Sequence, residues 1–318
     1  MTKPLTAATS TTTPATTPTT TAATAAATPA AILRINDVSV VRRLHDVTLD
    51  LGPGLTVVIG ENGAGKSTLL DVLAGILAPS SGTVSLCESE HAADDAAGAQ
   101  DSLVMGAAHD ADLRTLSPRQ RARRIASLGQ ESIDHDTTVL ERIAQGLAPR
   151  RGSGALVDDL ARVKVLAIAR ALGVDALLER DVDQLSSGQR RRVDVARALV
   201  DDEAACVIVD EPHAAVDIKH QGMVSLALVE RARAGTIVIV SVHDLGIAAT
   251  IADRIIGLRD GRVVVDDGGE AALTSASVEL LYGVTGALIV RGGAARGDGV
   301  AVIIPADDVD HRSRTRLS

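Results

Sequence analysis

Residues Gly60-Glu61-Asn62-Gly63-Ala64-Gly65-Lys66-Ser67 form the stretch that decides the fold. They fit the pattern G-x-x-x-x-G-K-[ST], the phosphate-binding loop. Glycines let the backbone wrap closely around an anion with its N–H groups turned inward, and the start of a following helix adds partial positive charge. In this pattern Lys66 reaches the β- and γ-phosphates of a nucleotide, and Ser67 holds Mg²⁺.

The residues on either side supply the context that the pattern requires. Residues 55–59 are apolar and β-branched, which predicts a buried strand. Residues 68–74 read as the start of a helix. The alternative is a glycine-rich turn that binds nothing, but the complete order of strand, loop and helix favours the phosphate site.

Net charge and amino-acid composition exclude some classes of function and limit how the core can be built. The chain has 318 residues and a formal charge of −9, so nucleic acid is a poor partner. Cys87 and Cys206 follow no metal spacing and form no disulfide framework, which suits a reducing compartment. No apolar run is long enough to span a bilayer. The chain has no Phe or Trp and one Tyr, Tyr282, so Val, Ile, Leu and Ala must build the core.

The chain divides into a tail, a large domain and a final segment. Residues 1–31 are rich in Thr, Ala and Pro, which predicts a disordered tail; a signal peptide is the weaker alternative. Residues 32–285 form the folded domain, and residues 286–318 form an accessory segment with strands near 287–291 and 300–304. Residues 88–112 are interpreted as a solvated surface insertion; metal binding by its His and Asp residues is the alternative.

Alternating strands and helices within the domain predict an α/β fold with parallel strands. The predicted strands are residues 32–40, 45–51, 205–210 and 236–242. The predicted helices are residues 118–128, 137–147 and 156–172, the last ending at Gly173.

A second motif lies at the end of the apolar strand 205–210, where Asp210 is followed by Glu211. Open α/β sheets place ligands at the carboxyl ends of their strands, so Asp210 is expected beside the phosphate loop, near Mg²⁺. Glu211 is then placed to orient or deprotonate an attacking water. The alternative is an acidic turn that caps a helix.

The stretch Leu185-Ser186-Ser187-Gly188-Gln189 resembles the LSGGQ signature of the ABC-transporter ATPases. Other family motifs follow in the right order between about residues 32 and 285. They are Gln130 at the Q-loop, Asp210-Glu211 as the Walker B pair, Asp217 closing the D-loop, His243 as the switch histidine and the turn Asp260-Gly261-Arg262.

The resemblance implies a fold and a site. The fold is a P-loop NTPase with a RecA-like core, an antiparallel β-subdomain and an inserted helical subdomain at about residues 131–200. ATP would lie between the phosphate loop of one subunit and the signature of another, in a head-to-tail homodimer. The implied catalytic residues are Lys66, Gln130, Glu211 and His243. The implied Mg²⁺ ligands are Ser67, Gln130 and Asp210. The implied ATP-binding residues are Gly60, Glu61, Asn62, Gly63, Ala64, Gly65, Lys66, Ser67, Thr68, Ser186, Ser187, Gly188 and Gln189.

Three passages resemble the ATPases of importers for iron-siderophores, haem and cobalamin. They are residues 116–126 before the Q-loop, 217–221 and 243–249. Residues 280–285 match a stretch near the end of those proteins as well. This resemblance implies a transmembrane permease as partner, a substrate-binding protein as an indirect partner, and a peripheral position on the cytoplasmic face of the membrane. The alternatives are another ABC transporter and a soluble ABC ATPase, although the latter usually has two ATPase domains or a long coiled coil.

Three positions depart from the family pattern. Ser187 stands where the signature has glycine, and it would be strained if that position needs a positive φ. Ala214 replaces the usual D-loop serine. The aromatic residue that stacks on adenine, expected near residues 40–43, is absent. Either Arg42 or Arg43 stacks on the base instead, or Val41 supplies only an apolar contact.

Overall fold

The structure is a computed structural model that describes residues 31–88, 109–128, 137–151, 158–284, 287–290 and 302–305. Residues 1–30 of the predicted tail, most of the predicted insertion and Gln130 lie outside these residues. The tail prediction is wrong at its last residue, because a strand begins at Ala31. The strands described are β1 (Ala31–Val40), β2 (Leu44–Leu51), β3 (Gly54–Gly60), β4 (Ser81–Glu88), β5 (His109–Asp112), β6 (Ile125–Leu128), β7 (Cys206–Val209), β8 (Ile237–Ser241), β9 (Arg254–Arg259), β10 (Arg262–Gly268), β11 (Ala287–Val290) and β12 (Val302–Pro305). The helices described are α1 (Lys66–Leu73), α2 (Pro118–Arg124), α3 (Val139–Ala144), α4 (Ala148–Arg151), α5 (Asp159–Ala171), α6 (Ser187–Leu199), α7 (Ile218–Arg233), α8 (Leu245–Ile251) and α9 (Ser275–Tyr282).

The central sheet has the strand order β10-β9-β3-β8-β7-β6. The strands from β9 to β6 run parallel, and β10 pairs antiparallel with β9. Every residue of β7 and β8 is buried, which explains why these strands read as unbroken apolar runs. The α/β fold with parallel strands is confirmed.

A second, antiparallel sheet has the order β2-β1-β4-β5. Buried and exposed residues alternate along β2, as expected of a strand with one face on the core. The interpretation of residues 88–112 as surface insertion is wrong at its end, because His109–Asp112 forms β5 and pairs with β4. Its polar residues hid this edge strand from pattern analysis.

Another difference concerns residues 118–128, which the sequence predicts as one helix. The helix ends at Arg124, and Ile125–Leu128 forms β6 in parallel with β7. Four residues are too few for periodicity to separate helix from strand, and pairing with β7 decides the outcome. The other two predicted helices are present as α3 and α5, and Gly173 follows α5 with a φ of 62°.

Two hydrophobic clusters cover opposite faces of the central sheet. Alternate residues of β3 and β7 point to each face: Val57 and Val207 join one cluster, while Val58 and Ile208 join the other. Helices α3, α5, α6 and α7 contribute to the first cluster, and α1 with the second sheet contributes to the other. Both clusters are aliphatic, as composition predicts. None of the helices in the described ranges is long and apolar enough to cross a membrane.

Candidate nucleotide-binding site

The phosphate loop joins β3 to α1, as the sequence predicts. Gly60, Gly63 and Gly65 have positive φ values of 146°, 85° and 107°. A Cβ at Gly60 would lie 2.2 Å from the carbonyl oxygen of Leu258 on the neighbouring strand, so only glycine fits there. The loop therefore has the backbone that an anion-binding turn requires.

Lys66 begins α1 and is buried, with 6% of its surface exposed. Its ammonium group donates hydrogen bonds to the carbonyl oxygens of Gly60 at 2.8 Å and Glu61 at 2.9 Å. Burial lowers the pKa of Lys66, and the nearby carboxylates of Glu211 and Asp210 act in the opposite direction. An ammonium has three donors, so one remains for a phosphate oxygen in this pose.

Asp210 and Glu211 follow β7 and lie beside the end of β8. The buried hydroxyl of Ser241 donates to Asp210 Oδ1 and accepts from the Glu211 N–H, whose nitrogen lies 2.9 Å away. Glu211 has a φ of 48°, a strained value for a residue with a side chain. Sequence reasoning missed Ser241. The only available signal was a hydroxyl at the end of an otherwise apolar strand.

His243 lies two residues beyond β8, and its Nε2 is 2.5 Å from Glu211 Oε1. Both side chains are partly exposed to solvent. The structure therefore brings together the histidine and the carboxylate that the motifs nominate, although 32 positions separate them in sequence. Either group is free to turn toward a ligand over the loop.

The signature residues form the start of α6. Ser186 is the N-cap, its hydroxyl accepts from the Gln189 N–H, and the Gln189 side chain accepts from the Ser186 N–H. This reciprocal cap leaves other N–H groups of the first turn directed outward, where a phosphate can bind. Arg191 on the same helix donates to the carbonyl oxygens of Asp210 and Glu211, which ties the signature helix to the catalytic turn.

The condition under which Ser187 would be strained, a positive φ, is not met. Ser187 is the first residue of α6 and is absent from the residues with positive φ among those described. The tight position is Gly188, where a Cβ would lie 2.5 Å from the carbonyl oxygen of Ala215. Serine is therefore accommodated at position 187, because the contact with the Ala215 carbonyl requires glycine only at position 188.

Tyr282, the last residue of α9, was not predicted as a site residue. Its phenolic group lies near the backbone of Gly60, and burial raises its pKa. Together with Gly60, Glu61, Asn62 and His243 it lines an open cavity of about 400 Å³. Its one signal in the sequence was the resemblance of residues 280–285 to importer ATPases.

The residues nearest the loop suit a magnesium ion. Ser67 has its hydroxyl in the first turn of α1. Asp210 has a carboxylate close enough to Lys66 for its charge to raise the pKa of that lysine. Hard oxygen ligands of this kind are the ones that Mg²⁺ takes in nucleotide sites. Gln130, the third predicted ligand, lies outside the described residues.

Comparisons with known proteins agree with this geometry. A model of the ABC transporter family matches residues 44–214. The hemin import ATP-binding protein HmuV of Pseudomonas putida is 36% identical over 247 residues, which cover 76% of this chain and 87% of that protein. HmuV of Nocardia farcinica is 37% identical over 245 residues, 76% of each chain.

Two solved structures show the same fold. One is an ABC transporter described as of metal-chelate type, in an inward-facing conformation. It has a TM-score of 0.66 at 21% identity and covers 86% of this chain and 97% of its own. The other is a bacterial ABC transporter cassette solved as a dimer. It has a TM-score of 0.60 at 22% identity and covers 74% of this chain and 98% of its own.

Proposed function

The chain belongs to the ABC transporter family and is an ATPase of that family, and from this premise we propose that it powers an importer for haem or a related iron chelate. The observation that carries the proposal is the convergence of four elements. The phosphate loop, Asp210, Glu211 and His243 meet at the carboxyl ends of β3, β7 and β8, with Lys66 between them.

ATP binds through its phosphates at the loop. The loop N–H groups and the first turn of α1, including Thr68, face the phosphate chain, and Lys66 neutralises charge on the β- and γ-phosphates. Ser67 and Asp210 hold Mg²⁺, which supplies charge neutralisation at the phosphate oxygens.

Hydrolysis needs a positioned water more than covalent catalysis. Glu211 accepts a proton as the water oxygen attacks the γ-phosphorus and the bond to ADP breaks. His243 lies against Glu211 and is placed to hold the γ-phosphate and the water. Gln130 is assigned the catalytic and Mg²⁺-binding roles that the family resemblance implies.

The signature acts on a second copy of the chain. We assign Ser186, Ser187, Gly188 and Gln189 to the γ-phosphate bound by the partner, because they open α6 and carry outward N–H groups. A cassette of the same fold was solved as a dimer, which supports the proposed homodimer.

The relatives support an importer rather than a soluble ATPase. HmuV proteins are hemin import proteins, and 76% of this chain aligns with one of them. We propose a transmembrane permease as the direct partner, a substrate-binding protein as an indirect partner, and a position on the cytoplasmic face of the membrane. The ATPase domain is assigned to residues 32–285, with the helical subdomain at about 131–200; residues 1–31 and 286–318 flank it.

Purification of the tagged chain from detergent-treated membranes of its own cells, followed by reconstitution in vesicles, tests this function. The expected partner is a multispanning permease, and the vesicles should take up haem when ATP is supplied. Uptake should stop in Glu211→Gln. Uptake of a ferric siderophore or cobalamin in place of haem would correct the substrate, and no copurifying permease would contradict the transport role.

A further inference from the structure

The turn between β1 and β2 covers residues 40–43, where the family resemblance leads us to expect an aromatic residue that stacks on adenine and where the sequence has none. Val41 is 71% exposed, and Arg42 has a φ of 62°. The Arg43 N–H donates to the Val40 carbonyl at 2.9 Å, which closes the turn. The turn thus has an exposed aliphatic side chain at Val41 and ends at Arg43, which contacts the phosphate-loop region.

Close backbone contacts fix the position of Arg43. A Cβ at Gly65 would lie 2.9 Å from the Arg43 carbonyl oxygen, and a Cβ at Gly261 would lie 2.4 Å from the same atom. The Gly261 N–H also donates to the Ala64 carbonyl at 3.0 Å. Arg43 is therefore packed between the phosphate loop and the turn after β9, rather than carried on a free loop.

The guanidinium of Arg43 turns toward α1. Its Nη1 lies 3.4 Å from Thr68 Oγ1. Burial raises the pKa of Asp71, one turn further along α1, and the positive charge of Arg43 opposes that shift. The side chain consequently lies along the start of α1, which directly follows the phosphate loop.

We propose that Arg43 contacts the α-phosphate of the bound nucleotide and replaces the missing base stacking, so that the site accepts nucleoside triphosphates of either purine. This rests on the proposed nucleotide function. The first turn of α1 faces the α- and β-phosphates, and Arg43 reaches that turn at Thr68. A guanidinium pairs well with phosphate oxygens, a contact that adenine and guanine nucleotides share. Val41 adds an apolar surface that does not distinguish the two bases.

Calorimetry on the full chain with Mg²⁺ tests the contact, using ATP, GTP and inorganic tripolyphosphate. The wild type should bind ATP and GTP with dissociation constants within about threefold of each other. Arg43→Ala should raise the dissociation constants of all three ligands by about tenfold, since a hydrogen bond to a charged group is lost. The ratio between the dissociation constants for ATP and GTP should stay as in the wild type. Arg43→Lys keeps the positive charge, so its affinities should lie between those of Arg43→Ala and the wild type. Arg114→Ala removes the same charge outside the site and should leave the affinities unchanged.

Several results would overturn the proposal. If Arg43→Ala binds ATP more weakly but binds tripolyphosphate with unchanged affinity, then Arg43 stacks on the base. Wild-type affinity in Arg43→Ala, in a chain with an unchanged melting temperature, would mean that the contact does not form. A strong preference of the wild type for ATP would show that another group reads adenine. A wild type that binds none of the three ligands contradicts the proposed nucleotide function itself, and with it this contact.

Discussion

Glu211 is held in a backbone conformation that costs on the order of 1 kcal/mol for a residue with a side chain. Its N–H bonds the Ser241 hydroxyl, its carbonyl accepts from Arg191, and its carboxylate lies 2.5 Å from His243. The strained turn aims the carboxylate toward the phosphate loop. Motif analysis found Glu211 and His243, but Ser241 and Arg191 are visible only in the fold.

His213, two residues after Glu211, is only 9% exposed to solvent. Its Nε2 lies 2.9 Å from Ser225 Oγ, while its Nδ1 is buried without a hydrogen-bond partner in the part of the chain that the structure describes. Burial lowers its pKa from 6.5 to about 4; Asp244 opposes this shift and Arg191 adds to it. The folded protein therefore holds this histidine neutral.

The unfolded chain binds a proton at His213 below pH 6.5, whereas the folded chain does so only near pH 4. Stability should thus fall as pH decreases through this window, by up to about 1.4 kcal/mol per unit. In urea unfolding at pH 7 and pH 5, the wild type should lose about 2 kcal/mol more than His213→Gln. Equal losses in both proteins would show that His213 is not buried as described.

Tyr282 offers a matched test of a residue that sequence analysis missed. Tyr282→Phe keeps the ring and removes only the hydroxyl, which lies near the Gly60 backbone in the wall of the cavity. Loss of this polar group beside the loop should cost about 1 kcal/mol in ATP binding, so KM for ATP should rise while kcat changes less. Steady-state kinetics with a melting curve would check this. An unchanged KM together with unchanged stability would remove Tyr282 from the site.

At the scale of elements, the signature helix α6 shows why one glycine was replaceable and the other was not. Ser187 adopts an ordinary helical conformation at the first position of α6. Gly188 faces the Ala215 carbonyl of the D-loop, and Ala215 itself has a φ of 59°. A glycine in a sequence motif indicates that the backbone is constrained at that position, but it does not identify the contact that constrains it.

Gly188→Ala should therefore be far more damaging than Ser187→Ala. The new methyl group would lie 2.5 Å from the Ala215 oxygen, so the helix or the D-loop must move. We expect a loss of about 1–3 kcal/mol in unfolding free energy and a slower ATPase, against about 0.5 kcal/mol for Ser187→Ala. Paired urea titrations and phosphate-release assays give the comparison. Equal effects of the two changes would contradict the close contact.

Secondary structure was predicted correctly where the hydrophobic pattern is long, and the prediction failed where the pattern is short. The apolar runs of β3, β7 and β8 were predicted within one or two residues. The four-residue strands β5 and β6 were not, because tertiary pairing rather than local pattern determines them. Strands near residues 287–291 and 300–304 were predicted, and the structure contains them as β11 and β12; their antiparallel pairing was not predicted.

At the scale of the molecule, the site is built from segments that are distant in sequence. Parallel pairing places β3 beside β8 and β8 beside β7, so the phosphate loop, His243 and Glu211 meet at one edge. The order of motifs predicted this convergence through family resemblance. It did not predict Tyr282, since the return of α9 to the loop depends on packing that no local pattern encodes.

The most direct test of the central claim is phosphate release by the purified chain with Mg²⁺ and ATP, comparing the wild type with Glu211→Gln. The variant keeps Lys66 and the loop but loses the base, so it should bind ATP, accumulate as an ATP-bound dimer and hydrolyse at least about a hundredfold more slowly. Lys66→Ala, by contrast, should lose ATP binding. Near-normal hydrolysis in Glu211→Gln would contradict the assigned mechanism, and a wild type without ATPase activity would contradict the account as a whole.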